Sequence, residues 1–472
     1  MDVFAQRRTY RRAALLGVSQ LACLGPHTVT GLLSVAGKQD ADWSADYRLF
    51  SQDRWNAQSL FDSVLAGVLD FLPAGAPVVC ALDDTLLPKT GPRIADVAYR
   101  RDPLSPKFHT NFIRGQRFLQ VSVMLASNPK GLCAARAIPA RYQPAPPLPK
   151  PSGRSTEGER QEYHKLRRSY NLSTIGRDAI AATRRQLDAQ EGGQARVLVI
   201  GVDGSYTNQT VLRGLPERTT LIGRIRQDAH LFHPVESTPP ADRGRPRQYG
   251  SPLPTPKALA GDPAHPWQPV RAFAAGNVHE FRVKTLATVL WAKAGPKLPL
   301  RLIVIAPLGY RLRKGQRLLY RQAAYLICTD PDMPVEQAVQ DYLWRWGIEV
   351  DHRDEKQLIG VGEAQVRCLD SARREPTFAV ACYAKLLLAA AQRYGPDATQ
   401  GQLPLPKWRR NRPPTRLTTG DLVRQIRQDL WGEALRQVER NYSHFVNATG
   451  LDMNGPKFEF SLRGAIDHAA TG

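Results

Sequence analysis

YLWRWGIEVDHRDEK (residues 342–356) closes a helical stretch that starts near Pro334, a favoured first helical position, behind Asp332 as its N-cap. With Tyr342 as zero and roughly 100° per residue, Arg345, Glu349 and Lys356 share with it an arc of about 60°. The apolar set Val335, Val339, Leu343, Trp346 and Val350 lies beside that arc. One stripe of the helix can therefore pack on a sheet while its border presents a carboxylate, two cations and a phenol. Such a border also occurs as a solvated, salt-bridged face, so the helix alone does not define any chemistry.

Two strands upstream change that balance. The runs APVVCALDD (76–84) and RVLVIGVD (196–203) are short, apolar and bounded by Pro, Gly and Asp, as buried strands are. Each ends in acid, at the carboxyl end of a strand, where sites collect in open α/β sheets. Both faces of residues 76–84 are apolar, so strand alternation does not choose between Asp83 and Asp84. Either strand-end acid alone reads as a turn or helix-cap residue. Together with Glu349, two such carboxylates can hold two hard cations about 3.5 to 4 Å apart, with waters and phosphate oxygens completing the shells. A carboxylate set without His or Cys matches the oxygen preference of Mg²⁺, with Mn²⁺ as its substitute.

The surroundings read as an α/β layer. RFLQVSVMLAS (117–127) and GLCAARAI (131–138) add hairpin-like strands, Pro144 to Pro151 a surface loop, and residues 157–190 a charged helical stretch. After Asp203 comes the strand TTLIGRIR (219–226), then a Pro-, Gly- and Arg-rich span with strand patterns at FRVKTLATVLWAK (281–293) and LRLIVIAP (300–307). That span reads as an inserted unit, after which AAYLICTD (323–330) resumes the buried-strand texture.

Near the start, His27–Ala36 and Asp42–Phe50 read as helices, with Gly37 ending the first. This is a helix-turn-helix silhouette, with Arg48 and Arg54 as phosphate anchors; an ordinary helical packing unit has the same spacing. RRTYRR followed by AALLGVSQLACLG imitates a secretion signal, but Ser19 and Gln20 interrupt the apolar stretch and no small-residue cleavage site follows. The best apolar run, Phe378 to Ala391, is too short for a membrane span and contains Lys385. Six scattered cysteines with no C-x-x-C pair encode neither a disulfide framework nor a zinc cluster, and the expected location is the cytoplasm.

The chain has 472 residues, enough for several structural units. Lys and Arg number 65 against 43 Asp and Glu, a net charge of +22, which favours a polyanionic partner through counterion release. GYRLRKGQRLLYR (309–321) and KWRRN (407–411) mix cations with aromatics as DNA-contacting loops do. An amphipathic helix is expected over Asp421–Val438.

With these residues in place, the sequence resembles the DDE transposases of bacterial insertion sequences, in the IS-four-like branch with a Tyr-Arg-Glu-Lys signature. Tyr342, Arg345, Glu349 and Lys356 stand at that signature's spacing. In that family the first acid sits in a strand-end Asp-Thr pair, as in ALDDT, and the second ends a strand, as in VIGVD; the resemblance selects Asp84 over Asp83. The PKTG after DDTLL, which contains Lys89, and HTVTGLL near the start are similar to one subgroup, the IS-seven-hundred-one-like elements.

The resemblance implies a ribonuclease-H-like mixed-sheet core interrupted by a mainly β insertion, with an N-terminal helical DNA-binding domain. The expected boundaries are a helical domain over 1–72, the core over 73–226 and 323–395, the insertion over 227–322, and a basic, helical C-terminal region over 396–472. Asp84, Asp203 and Glu349 are the implied catalytic residues and ligands of two Mg²⁺ ions. Tyr342, Arg345, Lys356, Tyr325, Lys89, Arg48 and Arg54 are the candidate DNA contacts, Tyr325 by stacking on a flipped base. The implied partners are double-stranded DNA, as terminal inverted repeats and as target, and a second copy of the chain. The activity implied is cutting and joining of DNA, through a hairpin. A nuclease that cuts without joining and a catalytically idle DNA-binding protein are the competing readings.

Overall fold

The computed structural model describes residues 3–432 apart from 103–104, 107, 129–130, 236–246, 311–316, 318, 397–402, 404–406 and 408–415. In chain order, four helices come first: α1 (Arg7–Ala22), α2 (Val29–Val35), α3 (Ser44–Ser51) and α4 (Asp62–Leu69). Strands β1 (Val78–Pro88), β2 (Ala98–Arg101), β3 (Phe112–Ala126) and β4 (Ala135–Pro144) follow, then α5 (Glu157–Ser169), α6 (Leu172–Asp188), β5 (Leu198–Val202), α7 (Gln209–Leu212), β6 (Thr219–Arg224) and β7 (Leu231–Phe232). The remainder comprises α8 (Pro256–Gly261), β8 (Gln268–Ala274), β9 (Asn277–Trp291), β10 (Gly295–Ile305), β11 (Gly309–Tyr310), β12 (Leu319–Tyr320), β13 (Ala324–Cys328), α9 (Val335–Trp344), α10 (Gly347–Leu358) and α11 (Leu369–Tyr394). The chain divides into two compact units, one of residues 1–64, 86–116 and 351–472, the other of residues 65–85 and 117–350.

The first unit is mainly helical. Its centre is α11, whose buried face meets α1, α3 and the short turn Ala57–Phe61. Phe378 of α11 meets Phe50 and Trp55 edge-on, with ring centroids 5.5 and 6.2 Å apart. The stretch that imitates a secretion signal is α1: Leu16 is fully buried, and a Cβ on Gly17 would sit 3.3 Å from Cys382 Sγ. The two expected N-terminal helices form as α2 and α3. Thr28 caps α2, and Gly37, at φ 68°, turns the chain so that Lys38 N–H donates to the Leu33 carbonyl and closes its end. Among the described residues no helix is long and apolar enough to cross a membrane.

The second unit is built on a large mixed sheet, in agreement with the expected α/β class. β1, β5 and β6 are parallel; β13 then runs antiparallel to β6, β10 to β13 and β9 to β10. β3 lies beside β1 and carries β4, while β7 and β8 pair with β9. The strands of the expected insertion thus extend the same sheet, because Arg301–Ile305 of β10 pair with Ala324–Cys328. Two helices, not one, occupy 157–190: Asn171 accepts from Thr174 N–H and starts α6 afresh with its own capping box. α5 has no buried residue, whereas α6 buries Ala179, Ile180 and Leu187.

The expected helix from Pro334 is likewise divided. Pro334 is the N-cap of α9 rather than its first residue, and Asp330, not Asp332, accepts the N–H groups of residues 332 and 333. α9 stops at Trp344 and α10 begins at Gly347, where a Cβ would lie 2.9 Å from that of Ala137, so the close approach needs a glycine. One wheel therefore does not run from Tyr342 to Lys356. Trp346, assigned by that wheel to the packing stripe, is 61% exposed at the break.

Candidate active site

Register and alternation place the acids. β1 and β5 pair in parallel from Val78↔Leu198 to Leu82↔Val202, so Asp83 and Asp84 emerge beside Asp203 just where that pairing stops; Asp203 follows the last residue of β5, whereas β1 does not end at its acids, as expected, but runs on to Pro88. Val79, Ala81 and Val199 pack with Val339, Tyr342 and Ile348 on the face covered by α9 and α10. Gly201 shares that face; a Cβ there would meet Arg345 Cβ at 3.3 Å, which leaves the Arg345 stem room to cross the strand.

Asp83 continues this face. Arg345, in the break between the helices, brings Nη1 to 3.5 Å from Asp83 Oδ2 and donates from Nη2 to Glu349 Oε1 at 3.2 Å. Its side chain is 11% exposed, yet Nε and Nη1 are buried without a hydrogen-bond acceptor among the described residues. Burial pulls the guanidinium pKa down, but Tyr342, Asp83, Glu349 and Asp203 together raise it, so Arg345 stays charged. The Tyr342 ring centroid lies 5.7 Å from the guanidinium, and burial pushes its phenol up, keeping it a protonated donor.

Asp84 turns the other way. Tyr206 donates its phenolic O–H to Asp84 Oδ1 at 2.8 Å, and Arg117 Nε pairs with Oδ2 at 3.1 Å. Tyr206 is fully buried; burial first, and then Asp84, raise its pKa well above the usual phenol range. Asp203 closes a turn, accepting Ser205 N–H at Oδ1 (2.8 Å) and Ser205 Oγ–H at Oδ2 (3.1 Å).

This carboxylate set suits hard divalent cations in its chemistry: all donors are oxygens and two cationic side chains already answer their charge. Its spacing is looser. Among the described residues no three His, Cys, Asp or Glu side chains stand close enough to hold one metal ion.

The other candidate residues divide by environment. Tyr325 is half-buried on β13, opposite Val304 of β10. Lys356 is half-buried on α10, and burial lowers its pKa. Lys89 is 3% exposed and donates to the carbonyls of Gly362 (2.7 Å) and Ala364 (2.6 Å). That placement corrects its reading as a DNA contact, because its ammonium is spent inside the first unit. Arg48 and Arg54 line one pocket of about 250 Å³ together with Arg8, Arg12 and Trp55. Residues 311–316 and 318 of the basic segment at 309–321 lie outside the described residues, as do residues 408–411 of KWRRN and 433–438 of the expected C-terminal helix.

Sequence reasoning missed Tyr206 and Arg117, and it left Asp83 unplaced. Tyr206 follows Asp203 in GSYTN, so proximity in sequence was its only signal, whereas Arg117, at the head of the run RFLQVSVMLAS, is far from the acids in sequence and had none.

One buried acid on α9 gives a pH prediction. Asp341 is 4% exposed, and burial pushes its carboxyl up to about 7. Unfolded, it titrates at about 3.9, so between these values the folded state binds more protons and stability falls as pH rises. Asp341→Asn is expected to flatten the melting temperature between pH 5 and 8 and to exceed the unsubstituted protein at pH 8. An unchanged slope shows that Asp341 titrates normally.

Residues 2–295 match the sequence family described as DDE superfamily endonuclease. The match takes in Asp84 and Asp203 and ends before Glu349. No curated protein matches the chain.

Proposed function

The chain belongs to the DDE superfamily endonucleases, and from that premise we propose that it is an insertion-sequence transposase of the Tyr-Arg-Glu-Lys, IS-four-like branch. In this reading it cuts DNA at terminal inverted repeats and joins the freed ends to target DNA. Family membership implies a nuclease that acts on DNA with divalent metals. The observation that carries the finer reading is Arg345: charged, with Nε and Nη1 buried, touching Glu349 and facing Asp83, with donors left over.

Asp84, Asp203 and Glu349 are the residues to hold two Mg²⁺ or Mn²⁺ ions, which supply an activated nucleophile and charge stabilisation on the leaving oxygen. Arg345 and Arg117 then have to yield the carboxylate oxygens they now occupy. Arg345 offers a bidentate fork to phosphate oxygens, Tyr342 a neutral donor and Lys356 a point charge. These contacts align the scissile phosphate for in-line attack by water. The released 3′-hydroxyl attacks a phosphodiester of the opposite strand, displacing the 3′-oxygen of the flanking DNA and closing a hairpin, which a second water hydrolyses open before joining. Tyr325 stacks on a base flipped out at the bend. Paired cuts at two ends call for two copies of the chain.

The test is product analysis on linear DNA carrying the ends of the element in Mg²⁺. Hairpin and strand-transfer species are expected; nicks alone identify a nuclease that does not join, and no cleavage an idle DNA-binding protein. Imperfect inverted repeats flanked by short direct duplications beside the gene are the matching genomic sign.

The arginine-lined pocket of the first unit is the proposed phosphate contact of the helical DNA-binding domain. Arg48→Ala with Arg54→Ala is expected to weaken end binding about 10- to 100-fold and to reduce the salt-dependence slope by about 2. Gel-shift titration across salt concentrations measures both, and an unaltered slope removes these arginines from the interface.

A further inference from the structure

Asp84 is gripped by two unlike partners, and the difference between them is informative. Arg117, at Oδ2, is 23% exposed in its side chain, although Nε itself is buried. Tyr206, at Oδ1, is fully buried and cannot leave without opening the structure around it. Its ring lies directly on α6 at Gly176, where a Cβ would come within 2.6 Å of Cδ1 and 2.8 Å of Cε1. Only glycine admits the ring there, since neither a packed aromatic nor a helix backbone shifts that far cheaply. On the other side of the turn, Thr207 Oγ1–H donates to the Asp203 carbonyl at 2.9 Å, so the segment that carries Tyr206 is tied to the second acid.

We propose that Tyr206 is a positioning residue for Asp84: seated on Gly176, it fixes one carboxylate oxygen and so presents the other, now paired with Arg117, to a divalent cation. The inference rests on Asp84 being a metal ligand, the reading proposed above. The chemistry resembles other metal sites in which a hydrogen bond from outside the ligand set fixes a ligand's orientation, and loss of such a bond typically weakens metal affinity about 10- to 100-fold. Tyr206 touches neither substrate nor the reacting atoms, so its effect has to pass through Asp84.

The experiment measures Mn²⁺ binding to the full chain without DNA, by the electron paramagnetic resonance of free Mn²⁺, beside the Mn²⁺ dependence of end cleavage. Tyr206→Phe keeps the ring and deletes the hydroxyl. It is expected to weaken Mn²⁺ binding about tenfold and to shift the cleavage midpoint equally, with cleavage recovering as Mn²⁺ is raised. Gly176→Ala, which displaces the ring, is expected to give a similar shift on its own and no additional shift in the Tyr206→Phe background, because the hydrogen bond is already gone there. Full additivity of the two shifts, or Mn²⁺ binding by Tyr206→Phe equal to that of the unsubstituted protein, overturns the proposal. Asp84→Asn distinguishes the two levels. If it loses Mn²⁺ while Tyr206→Phe does not, only the role of Tyr206 fails; if it too binds Mn²⁺ normally, Asp84 is not a ligand and both readings fall.

Discussion

Glu349→Gln is expected to lose end cleavage in Mg²⁺ by at least about 10³-fold, while binding of the same DNA stays within about threefold. The size follows from removing an anionic metal ligand: charge stabilisation by bound metal is worth several kcal/mol at the transition state, and about 4 kcal/mol is a factor of 10³. The selectivity follows from where Glu349 sits. Its side chain is 37% exposed in the first turn of α10, and Arg345 is its ion-pair partner at 3.2 Å. Gln keeps the shape and a hydrogen-bond acceptor, so little folding energy depends on the change. Arg345 also loses an anion, which frees its guanidinium for phosphate and leaves binding supported. Single-turnover cleavage and gel-shift titration on one preparation give both quantities. Cleavage within tenfold of the unsubstituted protein takes Glu349 out of the chemistry.

Lys89→Met is expected to produce the largest loss of stability, about 3 to 5 kcal/mol in the transition that reports the first unit. Lys89 is 3% exposed, and its ammonium supplies donors to two carbonyls, of Gly362 and Ala364. It is also the positive charge that opposes the burial of Glu375, a residue 2% exposed whose carboxyl burial pushes up to about 7. Met fills the volume and carries no donor, so the carbonyls are left buried and unpaired and Glu375 is driven further towards its neutral form. Denaturant unfolding followed by circular dichroism reads the loss. DNA affinity, measured where the variant is folded, is expected within about twofold of the unsubstituted protein. The opposite pair of results, intact stability with tenfold weaker binding, restores Lys89 as a DNA contact.

Elements whose identity rests on local composition were legible. The runs at 76–84, 196–203, 219–226 and 323–330 are short, apolar and bounded by turn formers; the last three each contain a strand, and the first opens β1, which runs on to Pro88. α2 and α3 fall within a few residues of their expected limits because caps and apolar spacing are local signals. The break at Arg345–Trp346 was not legible. WRWG scans as a continuous helix, and only contact with Ala137, from a distant strand, requires the small residue and the change of direction. Lys89 was misread for a related reason: a Lys in PKTG looks solvent-facing until residues 362–364 arrive with their carbonyls.

Sequence by itself determined the inventory: an α/β chain with a large cationic excess, acids closing two apolar runs, and a third acid at signature spacing from Tyr, Arg and Lys. These follow from side-chain chemistry and from periods of two or 3.6 residues, which need no partner to be read. Only the tertiary structure decided which way each acid faces. Asp83 turns to Arg345 while Asp84, one residue on, turns to Tyr206 and Arg117. Both faces of β1 are buried, so no hydrophobic pattern marks inside from outside, and the sides acquire their meaning only when α9 and the turn carrying Tyr206 pack against them.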